Sequence, residues 1–298
     1  MFKIEKISSA MFAAGFDACG VVRAESMTQE QTEFEKWLSE GCADGMGYLW
    51  RNIPKRFAPQ LLFEGARSVI IGAVGYKNDS SMGYPDDCNA KIASFALSRD
   101  YHLSVREMLA EVAAELGLTD AGEYKICTDA APLSEKSLAR RAGLGWKGRN
   151  SLIVNPVLGS FMVFGELIVR EECDAYSEPL DFDGCAGCAR CVLRCPTKAI
   201  RPDRTIDTRK CISNRTIESR TQEEFDAHGW LFGCDECQSA CPYNSAAPMF
   251  RNERFVPLFD PADKDLGYWE ALPDEELAER YGSTALVRAF LRKPKRRG

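Results

Sequence analysis

Four cysteines stand close together in GCAGCARCVLRCPTKAI, residues 184–200: Cys185, Cys188, Cys191 and Cys195, spaced C-x2-C-x2-C-x3-C-P. Neither a helical nor a strand period demands that spacing. Thiolates that must converge on an inorganic core do, and bacterial iron–sulfur modules use this run, its fourth cysteine serving a second cluster. The chain is therefore expected to wrap a short, turn-rich unit around metal, with a second ligand run elsewhere.

That second run is GCDECQSACPYN, with Cys234, Cys237 and Cys241 closed by Pro242. Its first cysteine would fall at position 231, which is Leu231, and the candidate for the missing thiolate is Cys211, between the runs. The crossover then assigns Cys185, Cys188, Cys191 and Cys241 to one [4Fe–4S] cluster. Cys195, Cys211, Cys234 and Cys237 fall to the other. A pair of structural zinc sites is the competing reading, since C-x2-C pairs also suit tetrahedral zinc; the two C-P endings favour clusters. Cys19, Cys42, Cys88, Cys127 and Cys173 have no ligand spacing and read mostly as small buried hydrophobes.

Bulk composition narrows the class. The 298 residues carry 13 cysteines, an odd number in a long chain, which argues for thiols kept for metal in a reducing cytoplasm rather than for a disulfide scaffold. With 38 basic residues against 44 acidic ones, the net charge of −6 argues against indiscriminate nucleic-acid binding but allows a local basic patch. The longest uncharged run, Ser151 to Gly165, is too short to span a bilayer and contains Asn155, Pro156 and Gly159, so no membrane segment is expected.

The fold class expected is α+β, with an N-terminal α/β catalytic domain over residues 1–180, a ferredoxin-like module over 181–245 and a C-terminal extension with a basic tail, KPKRRG, over 246–298. A helix carrying Phe34, Trp37 and Leu38 on one face is predicted to start at Ser26 or Thr28 and to stop at Gly41. SVIIGAVGY, residues 68–76, reads as a buried strand. Between Ile92 and Leu116 a helix ends at Gly117. A short strand at KICT, a helix at LSEKSLARRA and a strand pair, SLIVN with GSFMVFGELIVR, follow, and PDEELAERYG is a helix in the extension.

Electrons carried by clusters need a destination, but no dinucleotide fingerprint or phosphate-binding loop occurs. Only His102 and His228 are present, and the cobalamin motif D-x-H-x-x-G begins at Asp100 and fails at Val105.

Several segments resemble one family, the epoxyqueuosine reductases: TDAAPLSEKSLARRAGLGWKGRNSLIVNPVLGSFMVFGEL at 128–167, SRDYH at 98–102, CISNRTIE at 211–218, GMGYLWRN with Arg56 following, and both cysteine runs in order. The resemblance implies a cytoplasmic, cobalamin-dependent oxidoreductase that converts epoxyqueuosine to queuosine at the wobble position of tRNA. Residues 1–180 would bind the corrinoid without a histidine ligand to cobalt, and the two [4Fe–4S] clusters would feed it electrons singly. An external low-potential donor, a monomeric state and tRNA as partner are also implied. Longer members carry a helical-repeat domain for which this chain has no room.

Asp129, in the family's D-x-x-P-x-x-E setting, matches the acid that protonates the departing oxygen, a role that near neutrality requires burial to raise its pKa. The bland alternative is that Asp129 caps the next helix. Glu135 matches a family position with an orienting role. Arg56, Asp100, Tyr101, Arg149, Asn150 and Ser151, with Ser213 in the family's Cys-x-Ser setting, are the implied corrinoid contacts alongside Asp129. Lys136, Arg140, Arg141, Lys147 and Arg149 form an acid-free run that suits either a tRNA backbone or a solvated helix face. Trp146 suits a stacking surface or the core. The rivals are a corrinoid iron–sulfur enzyme of the reductive dehalogenase type acting on a small molecule, and a non-catalytic ferredoxin-type carrier.

Overall fold

The computed structural model describes residues 1–120, 122–219 and 223–287; the basic tail lies outside the described residues. Its strands in chain order are β1 (Ala18–Arg23), β2 (Ser68–Gly75), β3 (Lys91–Ile92), β4 (Tyr124–Cys127), β5 (Trp146–Lys147), β6 (Ile153–Val154), β7 (Met162–Val169) and β8 (Trp230–Phe232). Four of them form the central sheet in the order β1-β2-β7-β4, with every pairing antiparallel. The alternating helix–strand texture expected as α/β is thus built without parallel crossovers.

The apolar run at 68–76 becomes β2, buried along nearly its whole length because helices cover both faces. Alternation divides its side chains. Ile70 and Val74 meet Ile7, Met11, Val105 and Leu109 from the helices Ile4–Ala13 and Tyr101–Leu116. Val69, Ile71 and Ala73 meet Leu138 from the helix Glu135–Arg141 on the other face. Gly72 and Gly165 are register partners in β2 and β7, and a Cβ on Gly165 would run into Val105. The missing side chain lets the helix lie on the sheet.

Helix ends differ from expectation in instructive ways. The helix predicted from Ile92 starts only at Tyr101, because the Asp100 carboxylate accepts the His102 N–H and caps it; Gly117, at φ +82°, ends it as expected. The helix Thr28–Ser39 forms without a side-chain cap. SLIVN does not pair with β7: its short β6 pairs with β5 instead.

Packing runs across the expected domain boundaries. β3 pairs in parallel with β8 from the cysteine-rich region, and Ile92, Leu97 and Phe232 share a core with Trp269, Leu277 and Tyr281 from the extension. A second junction is polar. The fully buried Asn244 accepts from Ser160 N at 2.6 Å and donates to Gln238 O at 2.7 Å, while Ser160 Oγ donates to Gln238 Oε1 at 2.9 Å. The second cysteine run is thereby held against the turn leading into β7.

Candidate active site

Asp129 lies two residues past the end of a sheet-edge strand: β4 ends at Cys127, Thr128 is buried, and Asp129 turns the chain at φ +34°. That conformation is uncommon for a non-glycine residue. Its N–H donates to Glu135 Oε1 in the first turn of the next helix, while Ser134 occupies the helix N-cap. Asp129 is therefore not the cap, and its side chain, 59% exposed, is left to face a cavity.

Two neighbours on another helix meet that carboxylate. Tyr101 Oη donates to Asp129 Oδ2 at 2.9 Å, and His102 Nε2 lies 3.1 Å from the same oxygen. His102 Nδ1 lies 2.7 Å from Asp100 Oδ1. An imidazole with a carboxylate oxygen at each nitrogen is satisfied only with both nitrogens protonated. Burial works against the charged ring, but the bonds to Asp100 and Asp129 outweigh it and raise the His102 pKa to about 9.

The expected raised pKa of Asp129 needs correction. Its hydrogen bond with His102 holds the Asp129 carboxyl below the usual range, against the burial that would raise it, and the Tyr101 hydroxyl adds to the lowering. The proton of the pair is stored on the imidazole. His102 was missed as a site residue; its legible sign is an Asp-x-His at a helix start, where an N-cap carboxylate reaches the ring two residues on.

Asp129, Tyr101 and His102 line a cavity of about 1820 Å³, well beyond the roughly 300–1,000 Å³ of sites for drug-sized ligands. Arg56, Asn150, Ser151 and Ser213 line it too, and so do Cys195, Cys211, Cys234 and Cys237. Cys185, Cys188, Cys191 and Cys241 line a separate recess, together with Arg149. The eight cysteines thus line two separate recesses, four to each. Asp100 and Arg149 do not line the cavity: Asp100 is spent on His102, and Arg149 Nε donates to the Cys185 carbonyl at 3.4 Å. The cavity fits a large ligand with many hydrogen-bond acceptors, because Arg56 Nε is buried there with no hydrogen-bond partner among the described residues and amide and hydroxyl side chains surround it.

The chain is 37% identical over 281 residues to the epoxyqueuosine reductase of Cyclobacterium marinum, covering 92% of this chain and 88% of the relative. It belongs to the epoxyqueuosine reductase family. The epoxyqueuosine reductase of Leadbetterella byssophila is 34% identical over 298 residues, covering 98% of this chain and 96% of that one. Residues 56–130 match the family described as epoxyqueuosine reductase QueG, DUF1730, and residues 184–244, an interval holding all seven run cysteines and Cys211, match the 4Fe-4S double cluster binding domain. The structure of the epoxyqueuosine reductase from Streptococcus thermophilus superposes with a TM-score of 0.81 at 26% identity, covering 97% of this chain and 77% of that one. A crystal structure of an epoxyqueuosine reductase with a tRNA-Tyr epoxyqueuosine-modified stem loop shares the fold, with a TM-score of 0.82 at 24% identity, over 95% of this chain and 76% of that one.

In this epoxyqueuosine reductase family member the basic run does not act as one patch. Arg140 and Arg141 both bind Glu30, at 3.0 and 2.8 Å, while Lys136 and Lys147 line the cavity. Trp146 is buried against Phe182 and Tyr243, and its indole N–H donates to Cys185 Sγ at 3.4 Å. It is core, packed beside the first cysteine set. Among the described residues no helix is long and apolar enough to cross a membrane.

Proposed function

We propose that this protein reduces the epoxide of epoxyqueuosine in tRNA to the alkene of queuosine, two electrons and two protons removing the oxygen as water, with Asp129 delivering the first proton to the departing oxygen. One observation carries the reading: the Asp129–His102–Tyr101 cluster opens on the same cavity that Cys195, Cys211, Cys234 and Cys237 line. A proton source and an electron source thereby meet at one volume. When bound, cobalamin in this cavity supplies a nucleophilic low-valent cobalt, and two [4Fe–4S] clusters supply the electrons that restore it.

The chain's own residues then hold and direct the proton. At neutral pH the His102 ring is charged, and its Nε2–H points at Asp129 Oδ2. As negative charge grows on the epoxide oxygen, that proton passes through Asp129 to it, a contribution of about 10²–10⁴-fold for a positioned acid. Asp100 holds the ring in register, and Tyr101 holds the carboxylate. Arg56, Asn150, Ser151 and Ser213 are proposed to bind the corrinoid's amide fringe. Asp100 and Arg149 are proposed to act one step removed, through His102 and through the backbone at Cys185. The ligand sets proposed are Cys185, Cys188, Cys191 with Cys241, and Cys195, Cys211, Cys234 with Cys237. Lys136 and Lys147 are proposed to meet the tRNA backbone, and an external low-potential donor to serve a monomer in the cytoplasm.

The test uses anaerobically reconstituted, iron-replete protein with cobalamin, a strong reductant and tRNA bearing epoxyqueuosine, followed by mass spectrometry of the digested nucleosides. Loss of one oxygen in wild type, abolished in Asp129→Asn with cobalamin still bound, is the expected result. No conversion by the loaded wild-type protein would sink the assignment and direct attention to small-molecule substrates.

A further inference from the structure

Glu166 interrupts the apolar run of β7 and is fully buried. It stands in register with Cys127, two residues before Asp129. Among the described residues no hydrogen-bond donor reaches either oxygen of its carboxyl. The group within hydrogen-bonding reach is the Glu135 carboxyl, and Glu135 Oε1 already accepts the Asp129 N–H. Two ionised carboxylates have only acceptors to offer each other; a proton on one turns the contact into a bond. An unpaired charge at full burial is the costlier state, so such a group neutralises instead.

We propose that Glu166 is a positioning residue: it shares a single proton with Glu135 and, through Glu135, fixes the Asp129 backbone in the conformation that aims its carboxylate into the cavity. His102 and Lys136 face Glu135 and favour its ionised form, as Asp129 opposes it; Arg56 and Tyr101 also look toward it. Glu166 faces Glu135 and Asp129, with the Cys127 thiol beside it; Lys125 and Arg106 act on that thiol, and among the described residues the charges acting on Glu166 are the two carboxylates. The shared proton therefore rests on Glu166, whose burial pushes its carboxyl well above the usual range, while His102 and Lys136 work against the rise at Glu135. Glu135 is then free to accept the Asp129 N–H as a carboxylate. That charge-assisted bond offsets the strain of the positive φ at Asp129.

The acid role of Asp129 rests on the function proposed above; the shared proton does not, and infrared spectroscopy reads it without cofactor or substrate. At neutral pH the wild-type protein should show the carbonyl band of a protonated side-chain carboxyl, absent in Glu166→Gln. The glutamine keeps an N–H donor toward Glu135, so Glu166→Gln should retain most of the turnover. Glu166→Leu removes the donor and should lower turnover about 10²-fold, as for a misplaced catalytic group, with a displaced pH profile. No carbonyl band in wild type overturns the shared proton, and wild-type turnover and pH profile in Glu166→Leu overturn the positioning role. Equal loss in the glutamine and leucine variants also overturns that role. Melting temperature and iron content are read on both variants; if the leucine variant fails to fold, the glutamine variant and the band decide. If the loaded wild-type protein converts no epoxyqueuosine, the function proposed above fails while the band still decides the shared proton.

Discussion

His102 lies between two carboxylates, with Nδ1 2.7 Å from Asp100 Oδ1 and Nε2 3.1 Å from Asp129 Oδ2. Below a pH of about 9 this ring carries the proton that Asp129 needs. Turnover should therefore fall as pH rises through about 9, because both partners are then without a transferable proton. In His102→Gln the group that depresses the Asp129 pKa is gone, so the alkaline limb should move to lower pH and the rate should drop about 10²-fold. A pH–rate profile of epoxide reduction under a fixed chemical reductant checks both; an unmoved limb would remove His102 from the proton path.

Stability should share that direction. The folded His102 pKa lies above its ordinary value of about 6.5, so its contribution is complete below pH 6.5 and is lost as pH rises through about 9. Glu166, its carboxyl raised well above the usual range by burial, also binds its proton more tightly folded than unfolded, and so works in the same sense above about pH 4.5. Melting temperatures should decline between pH 5 and pH 9, roughly as linkage requires. A flat or rising curve would contradict the arrangement.

Cys211 stands apart from both runs yet lines the cavity with Cys195, Cys234 and Cys237. Cys211→Ser should lose about half the bound iron and the turnover, since one cluster of four thiolate ligands is broken. Cys88→Ser, outside both sets, should keep full iron and activity. Iron analysis with electron paramagnetic resonance of the reduced protein distinguishes the two.

Asn244 couples the second cysteine run to the turn before β7 through Ser160 and Gln238. Gly159, at φ +67°, runs so close to Asn244 that a Cβ would collide with its amide. Asn244→Ala strands buried polar partners and should cost about 1–3 kcal/mol per unsatisfied group. Gly159→Ala adds backbone strain to a collision and should destabilise comparably. Thermal melts should show both losses, with iron retention falling in parallel.

Glu30 is buried beneath Arg140 and Arg141. Glu30→Gln should lower stability by about 1–3 kcal/mol while releasing Arg141 and Arg140, the latter lining the cavity. Binding of tRNA should then become more salt-sensitive, the slope of log affinity against log salt steepening by up to about two. An unchanged slope would mean that the arginines stay away from the nucleic acid.

The cysteine runs were legible because their thiols are neighbours in the chain. C-x2-C spacing forces a tight loop whatever surrounds it, and the crossover needed only one thiol from between the runs. The strands at 68–76 and 124–127 and the helices ending at Gly117 and starting near Ser134 were legible for the same local reason: period, cap and glycine act within a few residues. The family resemblance added Asp129 and Glu135 as positions of interest.

Tertiary structure alone decided what those positions do. Tyr101 and His102 approach Asp129 because a helix and a sheet-edge strand, 27 or more residues apart in sequence, pack at the same end of the sheet. That encounter lowers the Asp129 pKa, where burial by itself would have raised it. Glu166 reads in sequence as one acid in an apolar strand; its meaning arises from the register that sets it beside Cys127 and from the helix that brings Glu135 over it. Spacing along a chain determines which ligands can share a cluster, because covalent geometry limits their reach. A proton's location depends on the charges and burial around it, and those come from strands and helices distant in sequence.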